Sequence, residues 1–148
     1  MTGTNSSHNI ELRLPSRLGY EKVAMSTAAS VAKIMGFTAE RVEDLKTAVA
    51  EACINAMEHG NKLDESLTVG VILSMDSDSL EVKVLDSGSG PRTKVHAPDI
   101  DKKIHGEEPS RGMGMFLIQS LVDKAEWVSS PPSGSYVRLV ILVDKVKD

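Results

Sequence analysis

An α+β fold is predicted by the order of the hydrophobic patterns and by the shortness of the turns between them. Read along the chain, the patterns run strand, helix, helix, two strands, a long loop, helix, two strands. Strand pairs joined by short polar or Pro/Gly turns imply a largely antiparallel sheet rather than parallel crossover units. Three helices could cover one face of such a sheet.

The composition sets the bounds. A chain of 148 residues suits one domain with a two-layer core. We assign residues 1–8 to a flexible N-terminus and 9–148 to a single domain. With 41% hydrophobic and 26% charged residues this is the profile of a soluble globular protein. A net charge of −4 argues against nucleic acid as a direct ligand, because phosphate backbones demand clustered Lys and Arg. No apolar run has the length of a membrane span, and Met1 to His8 lacks the apolar centre of a secretory signal. Cys53, the one cysteine, excludes an internal disulfide and fits a reducing, cytoplasmic setting; packing is its expected role.

Each element has its own pattern. Ile10, Leu12 and Leu14 alternate with polar residues up to Pro15, a short first strand. Arg17 to Met35 reads as a helix carrying Tyr20, Val23, Ala24, Thr27, Val31 and Ile34 at helical spacing, closed by Gly36. Its Ala24, Ala28, Ala29 and Ala32 would line the internal core. Thr38 is the expected cap of a second helix, with Glu40 in its first turn. Val42, Leu45, Val49, Ala52 and Ala56 form its apolar stripe, and Glu51 and Asn55 lie one turn apart on a polar line. Gly60 is expected to end this helix in a left-handed cap.

Leu67 to Ser74 and Leu80 to Leu85 read as a hairpin around Met75–Ser79. Residues 91–110 form a long irregular loop, a length found in lids and binding segments. A third helix opens at Arg111 with Met115, Ile118, Leu121 and Val122 on its apolar face. Glu126 to Ser129 and Ser135 to Val143 close the chain as two strands.

Three pieces carry chemistry, each with a plainer alternative. Glu51 and Asn55 alone read as a solvated helix face, although a carboxylate and an amide one turn apart could hold a water or a metal ion. Asp86-Ser-Gly88-Ser-Gly90 after a strand is by itself a turn. A carboxylate there could also read an amino group while the glycines let a flat ring approach the backbone. Arg111-Gly112-Met113-Gly114 at a helix start is a hinge, or a phosphate site built from free amides and the helix dipole. The histidines at 8, 96 and 105 and the Glu107-Glu108 pair read as solvated.

Together, in this order and spacing, the pieces resemble the GHKL ATPase superfamily of gyrase, heat-shock chaperone, histidine kinase and mismatch-repair ATPases. Glu51-x-x-x-Asn55 is similar to its N box, Asp86-x-Gly88-x-Gly90 to its first glycine box and Gly112-x-Gly114 to its second; the P-loop pattern is absent. Glu51-Ala-x-x-Asn55-Ala-x-x-His59-Gly60 with Arg111-Gly-Met-Gly-Met narrows the resemblance to the bacterial anti-sigma factor serine/threonine kinases, over residues 10 to 145. The resemblance implies the Bergerat fold, a two-layer α/β sandwich with a mixed, mostly antiparallel sheet covered by helices, and ATP/ADP with Mg2+ as cofactors. It implies Glu51 as general base, Asn55 as magnesium ligand, and His59 at a position near the nucleotide. Asp86 would hold the adenine amino group, Gly88 and Gly90 would shape the base pocket, and Arg111, Gly112, Met113 and Gly114 would contact phosphates.

The implied partners are an anti-anti-sigma (STAS-type) protein and a sigma factor or other response regulator, and a homodimer is implied as well. The implied activity is phosphorylation of a Ser or Thr on the anti-anti-sigma partner. The other reading of the same residues is a nucleotide-dependent module that sequesters its partner without phosphorylating it.

Overall fold

The computed structural model describes residues 8–86, 111–129 and 134–143. The elements are β1 (His8–Pro15), α1 (Glu21–Met35), α2 (Ala39–Asn55), a π-helical turn (Ala56–Gly60), β2 (Thr68–Met75), β3 (Ser79–Asp86), α3 (Arg111–Leu121), β4 (Lys124–Ser129) and β5 (Ser135–Leu142). The strands form a five-stranded sheet in the order β1-β2-β3-β5-β4. The four pairings among the described residues are all antiparallel, which is the α+β arrangement expected from the pattern, with no parallel pair of a mixed sheet among them.

Period-two alternation decides the two faces. Val69, Val71 and Leu73 of β2, Leu80, Val82 and Val84 of β3, and Val137, Leu139 and Ile141 of β5 point inward and are buried. They meet Val42, Leu45, Val49 and Ala52 of α2 and Ile118 of α3 in one core. The opposite face is polar: Arg138 pairs with Glu81 and Glu126, and the Lys83 ammonium sits 5.3 Å over the Tyr136 ring.

α1 packs on α2 through small residues, and the buried set is Ala24, Ala28, Ala29, Val31 and Ala32. This corrects the stripe read from spacing. Tyr20, Val23 and Ile34 are exposed, Ile34 at 85%. Helical spacing alone fits two overlapping stripes, and the close α1–α2 contact is made by the alanine stripe. The helix also starts later than expected, at Glu21, while Gly36 at φ 94° closes it and donates its N–H to the Ala32 and Lys33 carbonyls.

α2 begins as predicted: the Thr38 hydroxyl accepts the Arg41 N–H at 3.2 Å. Its end differs. The α-helix gives way after Asn55 to the π-helical turn, in which the Asn61 N–H donates to the Ala56 carbonyl at 2.8 Å. Gly60 is not in the left-handed region; Lys62 (φ 54°) and Leu63 (φ 59°) are. The left-handed cap placed at Gly60 is therefore wrong, and a glycine is required there for a different reason. Asn61, to which no role was assigned, is buried and donates from Nδ2 to Ser16 Oγ at 2.7 Å and to the Thr68 carbonyl at 3.0 Å. It moors this turn to the β1–β2 edge.

Candidate nucleotide site

The polar face of α2, the end of β3 and the start of α3 converge. Gly114, in the first turn of α3, is buried against α2. A methyl group built on it would lie 2.6 Å from Glu51 Oε2, 3.2 Å from Asn55 Nδ2 and 3.4 Å from Asn55 Oδ1. Gly114 thus lies directly on the carboxylate–amide pair of α2, 59 residues from Asn55 in sequence (114 − 55). Gly112 is buried beside it, and Met113 is turned outward at 60% exposure. Met115 is buried, in packing rather than at the site surface.

Burial is the larger reason that the Glu51 pKa stands above its ordinary 4.5; the negative charge of Glu58 adds to it. Asn55 Nδ2 is enclosed and has no hydrogen-bond partner among the described residues. An enclosed, unpaired amide costs about 1–3 kcal/mol, a cost that a polar ligand at this position would offset.

At the other end of the cleft stands Asp86, the last residue of β3, buried to 8% exposure. Two glycines make room for it. A methyl on Gly60 would sit 2.5 Å from Asp86 Oδ2 and 2.6 Å from both its Cβ and Cγ. On Gly134, at φ 103°, a methyl would sit 2.5 Å from the Asp86 carbonyl oxygen. Gly60 is a glycine because the carboxylate lies against its backbone. The clash with Asp86 Cβ cannot be relieved by a rotamer change, since that atom is fixed by the strand. Gly60→Ala should lower stability by about 1–3 kcal/mol. Thermal melts check this, and a variant with parental melting would show that the contact is unimportant.

An open cleft runs from Asn55 to Asp86, lined by Ala52, Ala56, Gly60, Val84, Trp127 and Val137. Asn55 belongs both to this cleft and to the Glu51–Gly114 contact. Trp127, Gly134 and Val137 were assigned no part in the site from the sequence. The only signal for Trp127 was its inward position on β4, and nothing local connects it to Asp86.

Not every expected residue joins the cleft. His59 lies half-buried on the π-helical turn with Nε2 3.9 Å from Glu58 Oε1, and it is not among the cleft-lining residues. Gly88, Gly90, the loop 91–110 and the Arg111 side chain lie outside the described residues, as do residues 1–7. Cys53 is fully buried and its thiol is pushed up to about 12, chiefly by burial, which suits packing and not nucleophilic chemistry. No group of three or more His, Cys, Asp or Glu side chains among the described residues could hold a metal ion. No helix among the described residues is long and apolar enough to cross a membrane.

The chain has relatives of known description. Residues 14–141 match the histidine kinase-like ATPase domain family. The serine-protein kinase RsbW of Bacillus subtilis is 34% identical over 131 residues, covering 81% of this chain and 78% of that protein. The serine-protein kinase RsbW of Bacillus cereus is 34% identical over 119 residues, covering 77% and 73%. Among solved structures, the RsbU and RsbW domains of a Mycobacterium tuberculosis protein superpose with a TM-score of 0.66 at 15% identity, over 95% of this chain and 34% of that one, which supports the fold. With the family model spanning most of the chain and the two kinases matching over most of their length, this protein belongs to the GHKL anti-sigma factor serine/threonine kinase family.

Proposed function

We propose that this protein is an anti-sigma factor kinase that binds Mg-ATP in the cleft and phosphorylates a Ser or Thr of an anti-anti-sigma (STAS-type) partner. The carrying observation is the approach of Gly114 to Glu51 and Asn55. A helix start with free amides favours phosphate, and here such a helix start lies against a carboxylate of raised pKa and an uncommitted amide.

In this reading Asp86 accepts the adenine amino group, with Val84, Trp127 and Val137 as an apolar wall for the ring. The Gly112–Gly114 backbone holds phosphate oxygens. Asn55 would give its Oδ1 to magnesium, which supplies neutralisation of phosphate charge when bound. The partner hydroxyl oxygen bonds to the γ-phosphorus, the bond from that phosphorus to the ADP oxygen breaks, and Glu51 takes the hydroxyl proton. Positioning and charge neutralisation supply most of the rate in such transfers.

Glu51 distinguishes this reading from a module that only sequesters a partner, because a pure binder has no use for a base beside the phosphate site. The RsbW relatives are named as serine-protein kinases, which favours a Ser acceptor. We place the reaction in the cytoplasm, with a sigma factor or another response regulator as the second partner. The test is a pull-down from native lysate with and without ATP, followed by phosphosite mapping of what is retained. A new phosphoserine or phosphothreonine on a small STAS-type protein is the expected result. ATP-dependent capture with no phosphorylation would replace the kinase by the sequestering module.

A further inference from the structure

The α2–α3 pair is pinned at both ends, and only one end belongs to the cleft. At the other end stands Arg41, in the first turn of α2. Its Nη1 donates to the Leu121 carbonyl at 3.3 Å and to Asp44 Oδ2 at 3.1 Å. Its Nη2 donates to Asp123 Oδ2 at 2.9 Å. Leu121 is the last residue of α3, so its carbonyl is among those with no partner inside the helix, and a cation there also suits the helix dipole. The same Asp123 oxygen accepts the Leu142 N–H at 2.7 Å, and the Asp123 N–H donates to the Val140 carbonyl at 3.0 Å. One guanidinium therefore ties the start of α2 to the end of α3 and, through Asp123, to β5.

We infer that Arg41 is a positioning residue that holds the Gly112–Gly114 backbone against Glu51 and Asn55 by fixing the far end of α3. This deepens the proposed phosphate site and rests on it. The two helices run antiparallel, so the residues joined by Arg41 and the residues joined at Gly114 lie at opposite ends of one contact, with Met115 and Ile118 buried between them. Among the described residues the polar contacts between Arg41 and α3 lie at the C-terminal end of that helix. Release of that end lets the rod pivot on Ile118 and moves the glycine turn at its start. A displacement of about 1 Å at a reacting site can cost on the order of a hundredfold in rate.

The plain alternative is a surface ion pair of small worth. Arg138 provides the control, because it also bridges two carboxylates, Glu81 and Glu126, on the polar sheet face away from α3. The experiment compares Arg41→Ala, Arg41→Lys, Asp123→Asn and Arg138→Ala in the full chain. It reads hydrogen exchange at the amides of Met115–Leu121 without nucleotide, and ATP affinity by calorimetry. Arg41→Ala should speed that exchange and weaken ATP binding about tenfold. Arg41→Lys should fall in between, since an ammonium cannot fork to the Leu121 carbonyl and Asp123 together. Arg138→Ala should leave both near parental values.

Exchange in α3 that is the same in Arg41→Ala as in the parent overturns the clamp. Equal loss of ATP affinity in Arg41→Ala and Arg138→Ala overturns it too, by reducing the effect to general stability. Faster exchange with unchanged ATP affinity upholds the clamp and instead overturns the phosphate site at Gly112–Gly114.

Discussion

Glu51→Gln is expected to keep ATP affinity near that of the parent and to cut phosphoryl transfer by roughly 10²–10⁴-fold, the range a positioned general base contributes. Amide and carboxylate have nearly the same shape, so the contact with Gly114 survives while the proton acceptor is lost. The pH profile carries the same signature. Burial first, then the Glu58 charge, hold the carboxyl above 4.5, and only its ionised form can act as base. Activity should therefore fall with decreasing pH through a midpoint above 4.5, and Glu58→Gln should move that midpoint down.

Stability responds in the opposite sense. Between 4.5 and the raised value the folded protein retains a proton that the unfolded chain has released. Stability thus falls as pH rises through that window, and the cost persists above it. At neutral pH Glu51→Gln should melt above the parent, a gain in stability at the expense of function. A variant that transfers phosphate at the parental rate and melts lower would remove Glu51 from both roles.

Asp86→Asn is expected to weaken ATP binding by about 10–100-fold, the equivalent of losing a hydrogen bond to a charged group. The walls of the cleft make the effect large. Gly60 and Gly134 press on the side chain and carbonyl of Asp86, so the amide has little freedom to find a new pose. GTP offers a second measurement. Guanine presents a carbonyl oxygen where adenine has its amino group, and a carboxylate repels it. The variant should therefore lose more affinity for ATP than for GTP and narrow the preference between them. Calorimetric titration with both nucleotides is the check, and ATP affinity at the parental level would exclude Asp86 from base recognition.

The site was legible in part for a physical reason. Glu51 and Asn55 are one helical turn apart, and that proximity is local geometry that a sequence displays directly. Alternation in β2, β3 and β5 likewise revealed which residues face the core. On α1 the alanines expected in the core are there, but the stripe drawn through Tyr20, Val23 and Ile34 was misplaced, because spacing could not choose between the two lines; the close fit against α2 chose. Gly60 was assigned a role in the backbone at its own position, whereas the requirement comes from Asp86, 26 residues away (86 − 60).

By itself, then, the sequence determined the order of the elements, the polar line on α2, the boxes that mark the family and the antiparallel character of the sheet. These depend on interactions within a few residues or on the period of a single element. Only the tertiary structure decided that Gly114 lies on Glu51 and Asn55, that Gly60 and Gly134 enclose Asp86, that Trp127 walls the cleft, and that Arg41 fastens α3 from its far end. Each is a meeting of residues far apart in the chain. Such meetings are set by the strand order β1-β2-β3-β5-β4 and by packing between helices, which no local pattern records.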